Sequence, residues 1–155
     1  MSFMNSINII GSGLTAQQLR LDIVSENVTN SQTTRVENGE GAYRRKMVVF
    51  EAVSGRDSFR AALAKAANGL IPNTVTSPTG GGVRVTQIVE DESPMKIAYD
   101  PTHPDADEDG YLEMPNVDMV KEIADAMAAT RAFASNVTAF NTLKSVISSG
   151  LEIGR

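Results

Sequence analysis

Gly11-Ser12-Gly13-Leu14-Thr15-Ala16, preceded by Ile9-Ile10, carries the G-x-G-x-x-A spacing of a dinucleotide-binding turn. In such a turn the glycines let the backbone approach a pyrophosphate, whose charge meets the amides at a helix N-terminus. That chemistry needs a strand before the turn and further βαβ units after it. Here an apolar heptad runs straight through the glycines and no alternating strand pattern follows, so they read as a helix start or a packing position. Asp105-Ala106-Asp107-Glu108-Asp109-Gly110 copies the first half of a calcium loop, with Leu112 at its aliphatic position. The twelfth position, where a bidentate glutamate belongs, is Asn116, and Pro101 and Pro104 break the entering helix. A calcium-responsive binding module is therefore one reading, and a solvated acidic turn is the simpler one. His103, the single histidine, lies in the same loop. A general base needs an orienting partner and a nucleophile or water in fixed geometry, which a proline-broken run of carboxylates does not imply. No catalytic, cofactor-binding or metal-ligating residue is assigned, and the chain is expected not to be an enzyme.

Composition narrows the classes further. The 155 residues include no cysteine and no tryptophan, with 19 acidic and 14 basic side chains and a formal charge of −5. Thiolate zinc sites, disulfides and cysteine nucleophiles are excluded. The acidic balance argues against nucleic acid as a partner, because phosphate binding requires clustered Lys and Arg. No apolar run approaches the roughly 18 residues a membrane helix needs, so membrane insertion is not expected. The first basic residue is Arg20, so the N-terminus lacks the basic start of a cleaved signal peptide.

Charge is unevenly placed. Residues 1–19 carry none, and residues 132–151 carry only Lys144; both stretches are rich in Ser, Thr, Asn, Ala and Gly. Small neutral faces suit helices packed on several sides, since burying a charge costs far more than burying a satisfied hydroxyl. From Glu90 to Asp125 twelve acids face two lysines, a local charge of −10, which leaves +5 elsewhere. Such asymmetry orients association between subunits.

The elements follow from periodicity. Ile7, Ile10, Leu14, Gln17, Leu21, Val24 and Val28 recur at alternating spacings of three and four, which predicts a helix through Asn30. Met119, Ile123, Ala126, Thr130, Phe133, Val137, Phe140, Lys144, Ile147 and Leu151 repeat the rhythm, and Val120, Met127 and Leu143 widen the stripe. Pro115 and Asn116 offer the start of this second helix. Tyr43–Val53, Val83–Val89 and Met95–Tyr99 read as strands, and residues 54–82 as a short helix or loop. The expected fold is α+β: terminal helices forming an antiparallel coiled coil, with a small β-rich middle region. The helical domain would comprise residues 1–34 and 116–155, and the middle region residues 35–115. The apolar helix positions are the candidate packing residues, and Glu122 and Arg131 are candidates for specific inter-helix pairing. A self-contained coiled-coil adaptor would show the same pattern.

Three blocks carry a family likeness. The first is Ser25-Glu26-Asn27-Val28-Thr29-Asn30-Ser31-Gln32-Thr33, and the second is Tyr43-Arg44-Arg45-Lys46 with its strand. The third begins at Asp100-Pro101 and His103-Pro104, continues through Asp109-Gly110-Tyr111 and Met114-Pro115-Asn116-Val117, and ends with Glu122, Arg131, Phe133 and Asn136. In these the chain resembles the bacterial flagellar basal-body rod proteins, and most closely the proximal-rod members. Val28-Thr29 and Ser31 depart from the more usual Ile-Ala and Ala. The resemblance implies a D0-like helical domain and a structural subunit of a helical, torque-transmitting shaft. It further implies a periplasmic basal-body location, export through the flagellar type III apparatus without a cleaved signal, and no cofactor. The implied neighbours are other copies, FlgB, FlgF, FlgG and the rod-base adaptor FliE. Asn27, Asn30, Asn116, Val117, Glu122, Arg131 and Asn136 are the motif positions it singles out.

Overall fold

The computed structural model describes residues 3–36, 41–53 and 81–153. Helix α1 spans Phe3–Thr29, strand β1 Lys46–Ala52, β2 Val83–Glu90, β3 Lys96–Tyr99, β4 Tyr111–Met114, and helix α2 Met119–Ile153. Two helices thus flank a small strand region, an α+β arrangement. The strands form two two-stranded sheets, β1 with β2 and β3 with β4. Asp91 N donates to Arg45 O, and Val53 N to Gly82 O, so β1 and β2 run in opposite directions. The second pair is antiparallel, with Ile97 opposite Glu113 and Tyr99 opposite Tyr111. The segment expected as a short helix or loop lies outside the described residues over 54–80.

Helix α1 passes through Gly11 and Gly13 without interruption. The dinucleotide reading, which needs a turn there, is therefore overturned, as is a helix start at these glycines. α1 ends where Asn30 donates to Glu26 O through both its backbone N and its side-chain Nδ2, and Thr33 Oγ1 donates to Asn30 Oδ1, so one motif asparagine reinforces the last turn. Helix α2 does not start with a cap from Asn116. Asp118 Oδ1 accepts from Val120 N at 3.0 Å and is the N-cap. In α2, Thr130, Thr138 and Thr142 donate to the carbonyls four residues earlier. The hydroxyls are satisfied within the helix and leave their methyl groups on its surface.

The chain groups into two compact units. The first comprises Met1–Ala16, Phe50–Val85 and Ala134–Arg155. In it Val83 N donates to Ser12 Oγ at 3.1 Å, which ties the start of β2 to α1. Gly82, at φ +98°, lies against Ser12 and the Ile9 backbone, where no side chain would find room. The second unit comprises Gln17–Val49 and Thr86–Phe133. Ile23, Val24, Ala42, Tyr43, Leu112, Val117 and Ala129 are its buried apolar residues, together with Pro115.

Candidate functional site

The most organised polar assembly of the second unit is buried. Glu122 is 0% exposed and Asn27 1%. Asn27, on the last full turns of α1, donates through Nδ2 to Lys46 O at 2.9 Å and to Glu122 Oε2 at 3.1 Å. Its Oδ1 accepts from Tyr43 OH and from Lys46 N, each at 2.9 Å. One asparagine thereby holds α2, the entry to β1 and a tyrosine, using both sides of its amide. Arg45 Nε donates to Glu122 Oε1 at 2.6 Å, and its guanidinium lies 3.4 Å from Asp125 and 3.5 Å from Asp91. Asn116 completes the junction: Oδ1 accepts from Arg45 N, and Nδ2 donates to Asp91 O and Ser93 O.

The electrostatics follow the geometry. Burial works against the Arg45 cation, but the hydrogen bond and charge of Glu122, with Asp91 and Asp125, outweigh it and raise its pKa. The Tyr43 phenol is pushed well above its ordinary range, first by burial and then by the charges of Glu26 and Glu122. Hydrogen bonds from the Ser93 side chain and amide hold Asp91 below the usual carboxylate value. These groups fix geometry, since nothing in the arrangement pairs a nucleophile with a base.

Beside the junction, Val24, Val28, Ile123, Ala126 and Met127 line an open, mainly apolar groove of about 660 Å³. Arg131 and Glu122 also line this groove. The two residues expected to pair helices have therefore separated roles: Glu122 is locked to Arg45 and Asn27, whereas Arg131 is exposed. Of the packing candidates, Val24 is buried and Ile7, Ile10, Leu14, Leu21, Val28, Phe133 and Ile147 are half-buried. Met119, Ile123, Met127, Val137, Phe140 and Leu151 are exposed. Asn136 faces Gly13, where an added Cβ would stand 3.0 Å from Asn136 Nδ2. Val117 is buried and its carbonyl accepts from Lys96 Nζ at 2.6 Å.

The acidic loop is tied to the polypeptide around it. Asp105 pairs with Arg35 at 2.7 Å and accepts from Thr34 Oγ1 at 2.9 Å. His103 Nδ1 accepts from Asp105 N at 3.1 Å. Asp105 thus serves as an anchor for the chain after α1. Among the described residues no three His, Asp or Glu side chains gather into a metal-holding group.

A family model described as “Flagella basal body rod protein” matches residues 7–35, and one described as “Flagellar basal body rod FlgEFG protein C-terminal” matches residues 108–153. The flagellar basal-body rod protein FlgC of Bacillus subtilis strain 168 is 42% identical, with 100% of both chains covered. That of Borreliella burgdorferi B31 is 40% identical over 99% of this chain and 98% of its own. That of Salmonella typhimurium LT2 is 34% identical, again with 100% of both covered. The chain belongs to the FlgC family of flagellar basal-body rod proteins. The two matched segments meet at the junction, where the first supplies Asn27 and the second Asn116 and Glu122. The residues that join them, Tyr43 and Arg45, lie outside both segments. In this FlgC-family chain the Tyr43–Lys46 block carries family likeness, but the sequence gives its residues no role and does not mark Asp91 or Asp125. Two adjacent arginines between a helix and a strand, in an acidic protein, were the available signal.

Proposed function

We propose that the chain is a structural subunit of the proximal rod, polymerising through its terminal helices into the helical shaft that transmits torque. The observation that carries this reading is the end-to-end match to FlgC proteins. Exposed apolar residues along α2, from Met119 to Leu151, support it, because an isolated subunit leaves that stripe in water. In this reading residues 1–34 and 116–155 form a discontinuous helical domain, residues 35–115 a β-rich middle, and α1 and α2 an antiparallel coiled coil. The contacts Arg20–Asp125 and Asn27–Glu122, which follow α1 forwards and α2 backwards, support that direction. A heterologous contact whose rotation does not close builds an open helix of subunits.

The remaining assignments follow from family membership. The neighbours are other copies, FlgB, FlgF, FlgG and the adaptor FliE, and the location is the periplasmic rod. Export runs through the flagellar type III apparatus without cleavage of a leader. The role is structural and requires no catalysis, nucleic acid or membrane insertion; among the described residues no helix is long and apolar enough to cross a membrane. Val137→Asp and Leu21→Asp, expressed in a strain lacking its own copy, are expected to be secreted but absent from purified basal bodies, giving non-swimming cells. Normal swimming by either variant refutes assembly through the helical stripes.

A further inference from the structure

The outer face of the β3–β4 hairpin is apolar and uncovered. Cross-strand partners share a face, so Ile97 with Glu113 and Tyr99 with Tyr111 project to one side. Ile97 is 73% exposed, Tyr99 67% and Tyr111 50%, and the two rings meet edge to face with centroids 5.4 Å apart. Ala98 and Leu112, on the opposite face, are half-buried and buried. The connecting turn adds exposed Asp107, Glu108 and Asp109, and is held to the hairpin by Asp107 N donating to Tyr111 O. Lys96 does not offset these acids on the outer face, because its ammonium is bonded to Val117 O. An aromatic centre framed by acids repels phosphates and suits an apolar surface that carries a cation.

The distal part of α2 offers such a surface, with a cation that has no carboxylate partner among the described residues. Lys144 is the single charge between residues 132 and 151, and it falls in register with Val137, Phe140 and Leu151 on the exposed stripe of α2. No carboxylate of the described residues pairs with it. One polar group in an apolar seam specifies register when it finds its partner. We propose that the β3–β4 hairpin of one copy receives the Phe140–Lys144 stripe of a second copy, with Lys144 set against Glu113 and Asp109. The contact joins two different patches, so it is heterologous and propagates. It rests on the assembly reading above and adds to it a specific pair of surfaces.

Charge reversal tests the contact in cells lacking their own copy. Lys144→Glu is expected to abolish swimming and to be lost from purified basal bodies. Asp109→Lys with Glu113→Lys is expected to do the same, and the triple variant to regain both. All three positions are exposed, and unchanged circular dichroism of each variant separates loss of contact from loss of fold. Wild-type swimming by Lys144→Glu, or loss that the hairpin reversal does not relieve, overturns the proposal. If the wild-type chain itself is absent from basal bodies, the assembly reading fails as well. If wild type is present and the reversals show no mutual rescue, only the hairpin contact fails.

Discussion

Glu122 and Arg45 are unequal partners, and their inequality sets what each substitution costs. Glu122 has no exposure, and its hydrogen bonds run to Arg45 and Asn27. Removing Arg45 leaves a buried carboxylate facing only an amide, so Arg45→Ala is expected to cost about 3–5 kcal/mol. Glu122→Ala leaves Arg45 with Asp91 and Asp125, and Asn27 Nδ2 with Lys46 O. Its cost is expected to fall below that range, under about 3 kcal/mol, because no charge is stranded. Urea unfolding of the two variants checks the order. Tyr43 adds a pH signature. Its folded pKa lies above the ordinary 10.0, so the fold favours the neutral phenol. The associated stability is complete below about pH 10 and is lost as pH rises above it, when only the unfolded chain ionises. Tyr43→Phe is expected to cost only about 1 kcal/mol at neutral pH, since Asn27 Oδ1 keeps Lys46 N, and to flatten the alkaline decline because phenylalanine does not ionise. Unfolding followed by far-ultraviolet dichroism between pH 8 and pH 11 reads both effects.

At the scale of elements, α1 contains two glycines in one turn with different surroundings. A Cβ at Gly11 would meet nothing within 4 Å, whereas at Gly13 it would press on the Asn136 amide. Gly11→Ala is therefore expected to stabilise the subunit by about 0.5–1 kcal/mol through helix propensity alone. Gly13→Leu is expected to destabilise it, because the branched side chain must displace Asn136. Thermal unfolding of both variants distinguishes a permissive position from a packing position. The motif asparagines divide in the same way: Asn27 joins elements, Asn30 closes α1, and Asn116 holds β1 and the residues after β2 rather than capping α2.

At the scale of the molecule, protection against exchange must follow burial. The start of α2 contains Glu122 and Ala129, both fully buried, while residues 134–152 are mostly exposed. Hydrogen exchange read by mass spectrometry is expected to show slow amides over 119–129 and fast ones over the distal third of α2 in the isolated subunit. Assembly is expected to slow the distal third, since its apolar stripe then leaves water. Equal protection of both regions in the free subunit would show that the stripe needs no neighbour.

Periodicity alone placed both helices and most of β1, β2 and β3, because their apolar residues recur at the period of the element. Asn27, Asn116 and Glu122 stand out through family likeness instead, and the charge-free ends point to helices that pack against neighbours. β4 was not legible: Tyr111–Met114 is too short to show alternation and exists through its pairing with β3. The junction was equally hidden. Asn27 and Glu122 are 95 residues apart, and a buried carboxylate is tolerable only where the folded chain brings Arg45 and an amide to it. Local pattern determines which segments become helices and strands, since propensity and apolar spacing act over a few residues. Only the tertiary structure decided which polar groups could be buried, because their desolvation is offset by partners that are distant in the chain.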